Sequence, residues 1–361
     1  MNILKIFNNK KVIITGHTGF KGSWLTLWLQ NLGANIMGVS KDIVTTPSHF
    51  EVLKLNKKII NKMVDINDLK QIKKIINQFK PAFIFHLAAQ ALVRKSYADP
   101  VDTVKTNTIG TLNILEAARY LKNDCNVILI TSDKVYKNLE INRGYNEKDI
   151  LGGKDPYSGS KAAAENIIYS YINSYFNKKN KTSVCIARAG NVIGGGDWSK
   201  DRIVPDCIKS WSKKKVAIIR NPNSTRPWQH VLEAVGGYLI LAATLKNNKK
   251  LHSHAFNFGP SKKNNYKVIE LINSIKKNWK DIKYKKIKSK KNLFESKLLR
   301  LNSQKAFKII KWRSILKFNE TTKLVSEWYK NYYFSKLSPK EISLNQINMY
   351  QKLLEERLKI K

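Results

Sequence analysis

Two short stretches carry the residues best suited to moving protons. One is Thr131-Ser132-Asp133-Lys134, the other Tyr157-Ser158-Gly159-Ser160-Lys161. Tyr157 and Lys161 stand at i and i+4, so on a helix they share one face, a turn apart. An ammonium beside a phenol favours the phenolate. A phenol drawn below its ordinary value of about 10 becomes a usable base near neutrality. Ser132, Asp133 and Lys134 follow an apolar run, Val127–Ile130, that reads as a buried strand. Groups just past a strand's carboxyl end lie where open α/β sheets bind ligands.

The elements that must position these groups surround them. Lys11–Thr15 is predicted as a first strand and runs into Gly16-His17-Thr18-Gly19-Phe20-Lys21-Gly22. A helix over Ser23–Leu32 and a strand over Asn35–Val39 complete a βαβ unit. Its glycines suit a tight turn, close backbone approach to a pyrophosphate and close helix packing, while the helix start offers free N–H groups to phosphate. After the second strand come Lys41 and Asp42. Asp42 suits a ribose 2′-hydroxyl and Lys41 a 2′-phosphate, so NAD is preferred over NADP. A helix over Asn67–Gln78 and a strand over Pro81–Leu87 follow. The latter opens into Leu87-Ala88-Ala89-Gln90, small residues where backbone passes close to a ligand. Asp102–Leu121 reads as one long amphipathic helix containing Asn107; Tyr157–Tyr175 as a helix; Ser183–Arg188 as a strand. Alternation at this spacing predicts a Rossmann-type, doubly wound parallel sheet.

Residues 1–188 are therefore expected to form the dinucleotide domain. Residues 189–361 form a smaller substrate-binding lobe, with about 228–260 returning to the first. The glycine-rich Ala189–Trp198 loop opens this lobe; Glu341–Lys361 closes it as a polar helix. The formal net charge of +40 admits an acidic partner such as nucleic acid. The lysines are scattered and do not interleave with aromatics as a stacking platform. Solvent-facing helices account for them, and neither nucleic acid nor membrane is expected as a partner. Cys125, Cys185 and Cys207 form no C-x-x-C pair, and His and Cys are too dispersed for a metal site. No apolar run reaches the roughly 20 residues of a membrane span, and the amino terminus lacks a leader's apolar core. A cytoplasmic enzyme is expected.

TGHTGFKG, HLAAQ, TSDKVY, YSGSK, ARAGNVIGGGDW and RPWQHV together resemble the extended short-chain dehydrogenase/reductases. Within them the chain is similar to the CDP-glucose 4,6-dehydratases. The resemblance covers about residues 11–260 densely. It implies NAD held by Gly16, Gly19 and Gly22 with the intervening loop, by Asp42, by Asp65 and Ile66 at the adenine, by Leu87–Ala89 and Asn107, and by Tyr157 and Lys161. It implies Ser132 as the third catalytic hydroxyl. Relatives acting on dTDP-glucose carry Asp-Glu where this chain has Asp133-Lys134, and simple 4-epimerases lack an acid/base pair there.

The implied chemistry gives each group a task. Tyr157 takes the C4 hydroxyl proton and Lys161 lowers its pKa. Ser132 steadies the C4 ketone, Lys134 removes the C5 proton, and Asp133 protonates the departing C6 hydroxyl. Lys134 must then be neutral, through burial and the nearby Lys161. Arg202, Arg220 and Arg226 suit a diphosphate. Asn191, Val204, Gln90 and Arg94 are expected along the sugar nucleotide. A homodimer through the Tyr/Lys helix is implied by resemblance. Another nucleotide-sugar dehydratase or a 4-epimerase is the near alternative, and a nucleic-acid-binding protein of the same fold the remote one.

Overall fold

The computed structural model describes residues 3–176, 180–261, 265–279, 282–287 and 299–359. Seven strands form one parallel sheet: β1 Lys11–Thr15, β2 Asn35–Ser40, β3 Ile60–Met63, β4 Phe83–His86, β5 Cys125–Ile130, β6 Thr182–Ala189 and β7 Ala255–Phe258. Their order is β7-β6-β5-β4-β1-β2-β3. β4, β5 and β6 are buried at every position. That is why they read as continuous apolar runs rather than alternating ones. In the centre Val12 pairs with Ile36 on one side and Phe83 on the other.

Helices cover both faces. α1 (Phe20–Asn31) and α6 (Val231–Asn247) share one core with Val12, Phe85 and Ile128. α2 (Leu69–Phe79), α3 (Gly110–Ala118) and α4 (Pro156–Tyr175) share the other with Ile13, Ile84 and Leu129. Alternate strand residues thus feed opposite cores, as the period of two requires. α4 starts sharply because Pro156 occupies its first turn, and Asp155 and Ser158 cap each other's backbone N–H groups. Further along lie α5 (Ile203–Trp211), α7 (Phe318–Phe334) and α8 (Pro339–Lys359). α8 lies against α1, with the Trp28 indole donating to Gln351 at 2.9 Å. Of the helix expected over 341–361, residues 360 and 361 lie outside the described residues.

Two elements differ from the sequence expectations. β3 was not anticipated: Ile-Asn-Lys-Met is an edge strand with little buried surface, so it carries no apolar run. The single helix expected over 102–121 is broken. A π turn, Lys105–Ile109, separates Pro100–Val104 from α3. Such single-turn insertions redirect a side chain. Here the amide of Asn107 clasps both backbone groups of Gln90, at 2.8 and 3.1 Å. The three cysteines are buried free thiols. Among the described residues, no His/Cys/Asp/Glu cluster suits a metal, and no helix is long and apolar enough to cross a membrane.

Candidate active site

A cleft of about 750 Å³ opens beyond the carboxyl ends of β5 and β6. Ser132, Asp133 and Lys134 line it from the end of β5, and Tyr157 from the first turn of α4. The Ser132 hydroxyl donates to Asp133 Oδ1 at 2.9 Å and accepts the Lys134 backbone N–H at 3.2 Å. The Tyr157 ring and Ser132 line the same part of the cleft. Lys134 Nζ lies 3.5 Å from Asp133 Oδ1; the lysine side chain is 27% exposed, the aspartate 3%.

Electrostatics corrects two expectations. Burial holds the Tyr157 phenol above its ordinary value, against the opposing pull of Lys134, Ser132 and Arg202. Desolvation of the phenolate outweighs the neighbouring cations, and the cation that most favours the phenolate is Lys134 rather than Lys161. Lys134 itself was expected deep and near Lys161. It is part-exposed and paired with Asp133 instead. Lys161 is pushed down to about 8 by burial and by Lys21, while Glu165 opposes the shift.

Lys21 belongs to the glycine stretch, yet its amine reaches the cleft. Burial and then Arg202 lower it to about 8, with Asp133 opposing and Lys134 adding. The rest of that stretch turns away from the cleft. Gly16 has φ +74°, and a Cβ there would meet Ala88 N at 2.6 Å; a Cβ on Gly22 would lie 2.0 Å from the Gly16 carbonyl oxygen. Gly19 caps α1 without a side-chain hydrogen bond. His17 is buried between Ser40, at 2.9 Å, and Asn61, at 2.7 Å. Thr18 donates to the Asp42 carbonyl at 2.7 Å, leaving the Asp42 side chain exposed. Leu87–Ala89 pass beside Gly16, where the Ala88 N–H meets Thr15 Oγ1 at 3.3 Å. Asp65 accepts from the Asn67 N–H at 2.9 Å, and Ile66 is buried against Gly110.

Arg94, Asn191, Arg202, Val204, Arg220 and Arg226 line the same cleft. Asp201 sits between Arg94, at 3.0 Å, and Arg220, at 3.3 Å. Arg202 meets Asp197 at 3.0 Å. Arg226 Nη1 donates to the Thr225 carbonyl at 2.7 Å. Gln90 does not reach the sugar side. Its amide is spent on Leu92 and on Thr103, at 2.9 Å, because the Asn107 clasp turns it inward.

A buried support went unread in the sequence. Glu165 accepts from Thr131 Oγ1 at 2.6 Å and from Arg188 Nε at 2.9 and 3.0 Å, and it also meets Arg188 Nη2. Arg188 Nη1 donates to Tyr136 at 2.8 Å. One signal was available: Glu165 follows Lys161 by four residues and so lies on the same helix face.

The family model for GDP-mannose 4,6 dehydratase matches residues 13–325. A CDP-glucose 4,6-dehydratase of Salmonella typhimurium is 40% identical over 328 residues, covering 90% of this chain and 91% of that one. A CDP-paratose 2-epimerase of Salmonella typhi is 26% identical over 290 residues, covering 73% and 82%. Among solved structures, the epimerase Mth375 of Methanothermobacter thermautotrophicus superposes with a TM-score of 0.80 at 21% identity, covering 92% and 96%. The UDP-glucuronic acid 4-epimerase of Bacillus cereus, solved with UDP-glucuronic acid and NAD, superposes with a TM-score of 0.75 at 22% identity, covering 90% and 100%. These structures share the fold. The family model and the 40% identical relative go further, and together they establish that the chain belongs to the GDP-mannose 4,6 dehydratase family, within the extended short-chain dehydrogenase/reductases.

Proposed function

We propose that the chain is a nucleotide-sugar 4,6-dehydratase, converting CDP-D-glucose to CDP-4-dehydro-6-deoxy-D-glucose and water. The observation that carries this reading is the Asp133–Lys134 pair beside Ser132 and Tyr157 in one cleft. Oxidation at C4 alone needs only the hydroxyl, phenol and lysine set. Eliminating water across C5 and C6 needs a further base and a further acid, and this pair offers them. The similarity to the Salmonella CDP-glucose enzyme supports CDP-glucose as the substrate.

NAD is the cofactor in this reading, and the residues fit it. The Gly16 turn and the missing side chain at Gly22 leave backbone where a pyrophosphate must come close, beside the uncapped start of α1. In this reading Asp42 takes the adenosine ribose, and Asp65 and Ile66 take the adenine. Leu87–Ala89 run past the middle of the cofactor, and Tyr157 and Lys161 hold the nicotinamide ribose. Bound NAD supplies the acceptor for the C4 hydride and returns that hydride to C6.

The chain's own groups handle the protons. Tyr157 Oη takes the C4 hydroxyl proton while Ser132 donates to the ketone oxygen. The ketone acidifies C5–H, and Lys134 Nζ removes that proton. Asp133 delivers its proton to the C6 hydroxyl, which leaves as water. Arg202, Arg220 and Arg226 hold the diphosphate, with Arg94, Asn191 and Val204 along the sugar nucleotide. The reading includes a cytoplasmic homodimer formed through α4, supported by the exposure of Tyr169 and Tyr175 on that helix. Incubation with CDP-glucose and NAD⁺ should give a product lighter by one water with no net reduced cofactor. An unchanged sugar-nucleotide mass overturns the assignment.

A further inference from the structure

One carboxylate of the cleft holds two of its arginines. Asp201 Oδ1 accepts from Arg94 Nη1 at 3.0 Å and from Arg220 Nη1 at 3.3 Å. All three residues line the cleft. Arg94 comes from the short helix Val93–Ala98 after β4, and Arg220 follows a strand over Ala217–Ile219. A single oxygen thus joins two segments that are distant in the chain.

We propose that Asp201 is an internal competitor for the sugar nucleotide's diphosphate: it holds Arg220 until the ligand's anion takes that guanidinium from it. The inference rests on the nucleotide-sugar reading above, in which Arg220 contacts the diphosphate. The neighbouring Asp197–Arg202 pair shows what a permanent anchor looks like. The Asp197 side chain is 5% exposed; its Oδ1 accepts from the Ser199 N–H at 3.0 Å and its Oδ2 from Arg202 at 3.0 Å. That carboxylate is fixed from behind and positions its arginine. The Asp201 side chain is 43% exposed and, among the described residues, bonds only the two arginines. Each arginine gives it one N–H rather than a fork. A diphosphate brings more charge and several oxygens, and can take the two-pronged contact that Asp201 does not make. The exchange moves no proton and breaks no covalent bond.

Such competition has a use in this chain. A net charge of +40 draws polyanions of any kind toward the surface. With a carboxylate already on Arg220, a phosphate alone gains little there, and tight binding needs the nucleoside and sugar contacts as well. The same exchange runs backward when product leaves, as the carboxylate returns to Arg220.

Calorimetry on the full-length protein with NAD⁺ tests the proposal, with CDP as the titrated ligand at fixed pH and low ionic strength. Asp201→Asn removes the charge and keeps the shape, and asparagine tolerates the φ of +60° at this position. This variant should bind CDP roughly 2- to 5-fold tighter, the range one exposed ion pair is worth. If it melts early, Asp201→Gly, for which that backbone costs nothing, replaces it with the same expectation. With Arg220→Gln already in place, Asp201→Asn should bring no gain. A CDP Kd that is unchanged or raised overturns the proposal and makes Asp201 a positioning residue for the arginines. A gain that persists undiminished beside Arg220→Gln overturns it too, because simple charge repulsion then explains the effect. A wild-type protein that binds no CDP overturns the nucleotide-sugar reading itself.

Discussion

Replacing Arg188 by leucine should strand a charge. Glu165 is 1% exposed at its side chain and Arg188 5%, so neither end of their ion pair reaches solvent. Arg188 supplies Nε to both carboxylate oxygens as well as Nη2. Without it, the Thr131 hydroxyl at 2.6 Å is the remaining donor found for Glu165. Removing one partner of a buried pair costs roughly 3–5 kcal/mol, because the other charge stays desolvated. Tyr136 also loses the guanidinium donor, but its hydroxyl still donates to Asn257 at 2.8 Å, so this adds little to the cost. At about 1.3 °C per kcal/mol for 361 residues, the Tm should fall by at least about 4 °C. Urea unfolding followed by tryptophan fluorescence should show a lower midpoint at unchanged slope. The double variant Glu165→Leu with Arg188→Met removes both charges and should recover much of the loss. A single variant losing under about 1 kcal/mol refutes the reasoning. So does a double variant as unstable as the single one.

Tyr157→Phe keeps the ring and removes the phenol, so it should abolish turnover while calorimetry still detects CDP-glucose binding; retained turnover removes Tyr157 from proton transfer. Lys134→Met should bind the same ligand but leave C5–H untouched. In heavy water the wild-type product should then carry deuterium at C5, and sugar recovered from the variant should carry none. Acid should weaken the fold through three histidines. His49, His86 and His230 are lowered to about 3, by burial in each case and for His86 by Lys161 as well. Their unfolded value is 6.5, so the unfolded chain binds more protons below that value, and stability is lost as pH falls from about 6.5 toward about 3. The urea midpoint should drop between about pH 7 and about pH 5; a constant midpoint counts against the buried neutral rings.

The parts of the site that read directly from the sequence are those fixed by short-range spacing. The glycine stretch, the Tyr157/Lys161 turn and the Ser132-Asp133-Lys134 run each sit next to an apolar strand, so position followed from pattern. The strands β4, β5 and β6 were legible for the same reason. β3 was not, because an exposed edge strand buries too little to carry a period. The inward turn of Gln90 was hidden because it depends on Asn107, seventeen residues away and held in a π turn. The raised phenol of Tyr157 was hidden because desolvation is a property of the packed surroundings. Spacing predicted the neighbour at i+4; it did not predict which cation would face the ring. Lys21 was legible as part of a phosphate loop, but not as a lining of the cleft, since that depends on where α1 points it.

The last strand of the sheet has a consequence for synthesis. β7 joins the edge of β6, yet the 65 residues 190–254 lie between them in the chain. A ribosome working at about 5–20 residues per second leaves the open edge of β6 without its partner for roughly 3–13 s. Unpaired edges are templates for wrong pairing. The half that begins the chain therefore cannot close its own sheet, and a gene cut after β6 should yield a fragment prone to aggregate rather than a free dinucleotide-binding unit. Swapping the intervening lobe between relatives must carry β7 along, because the two halves share one sheet.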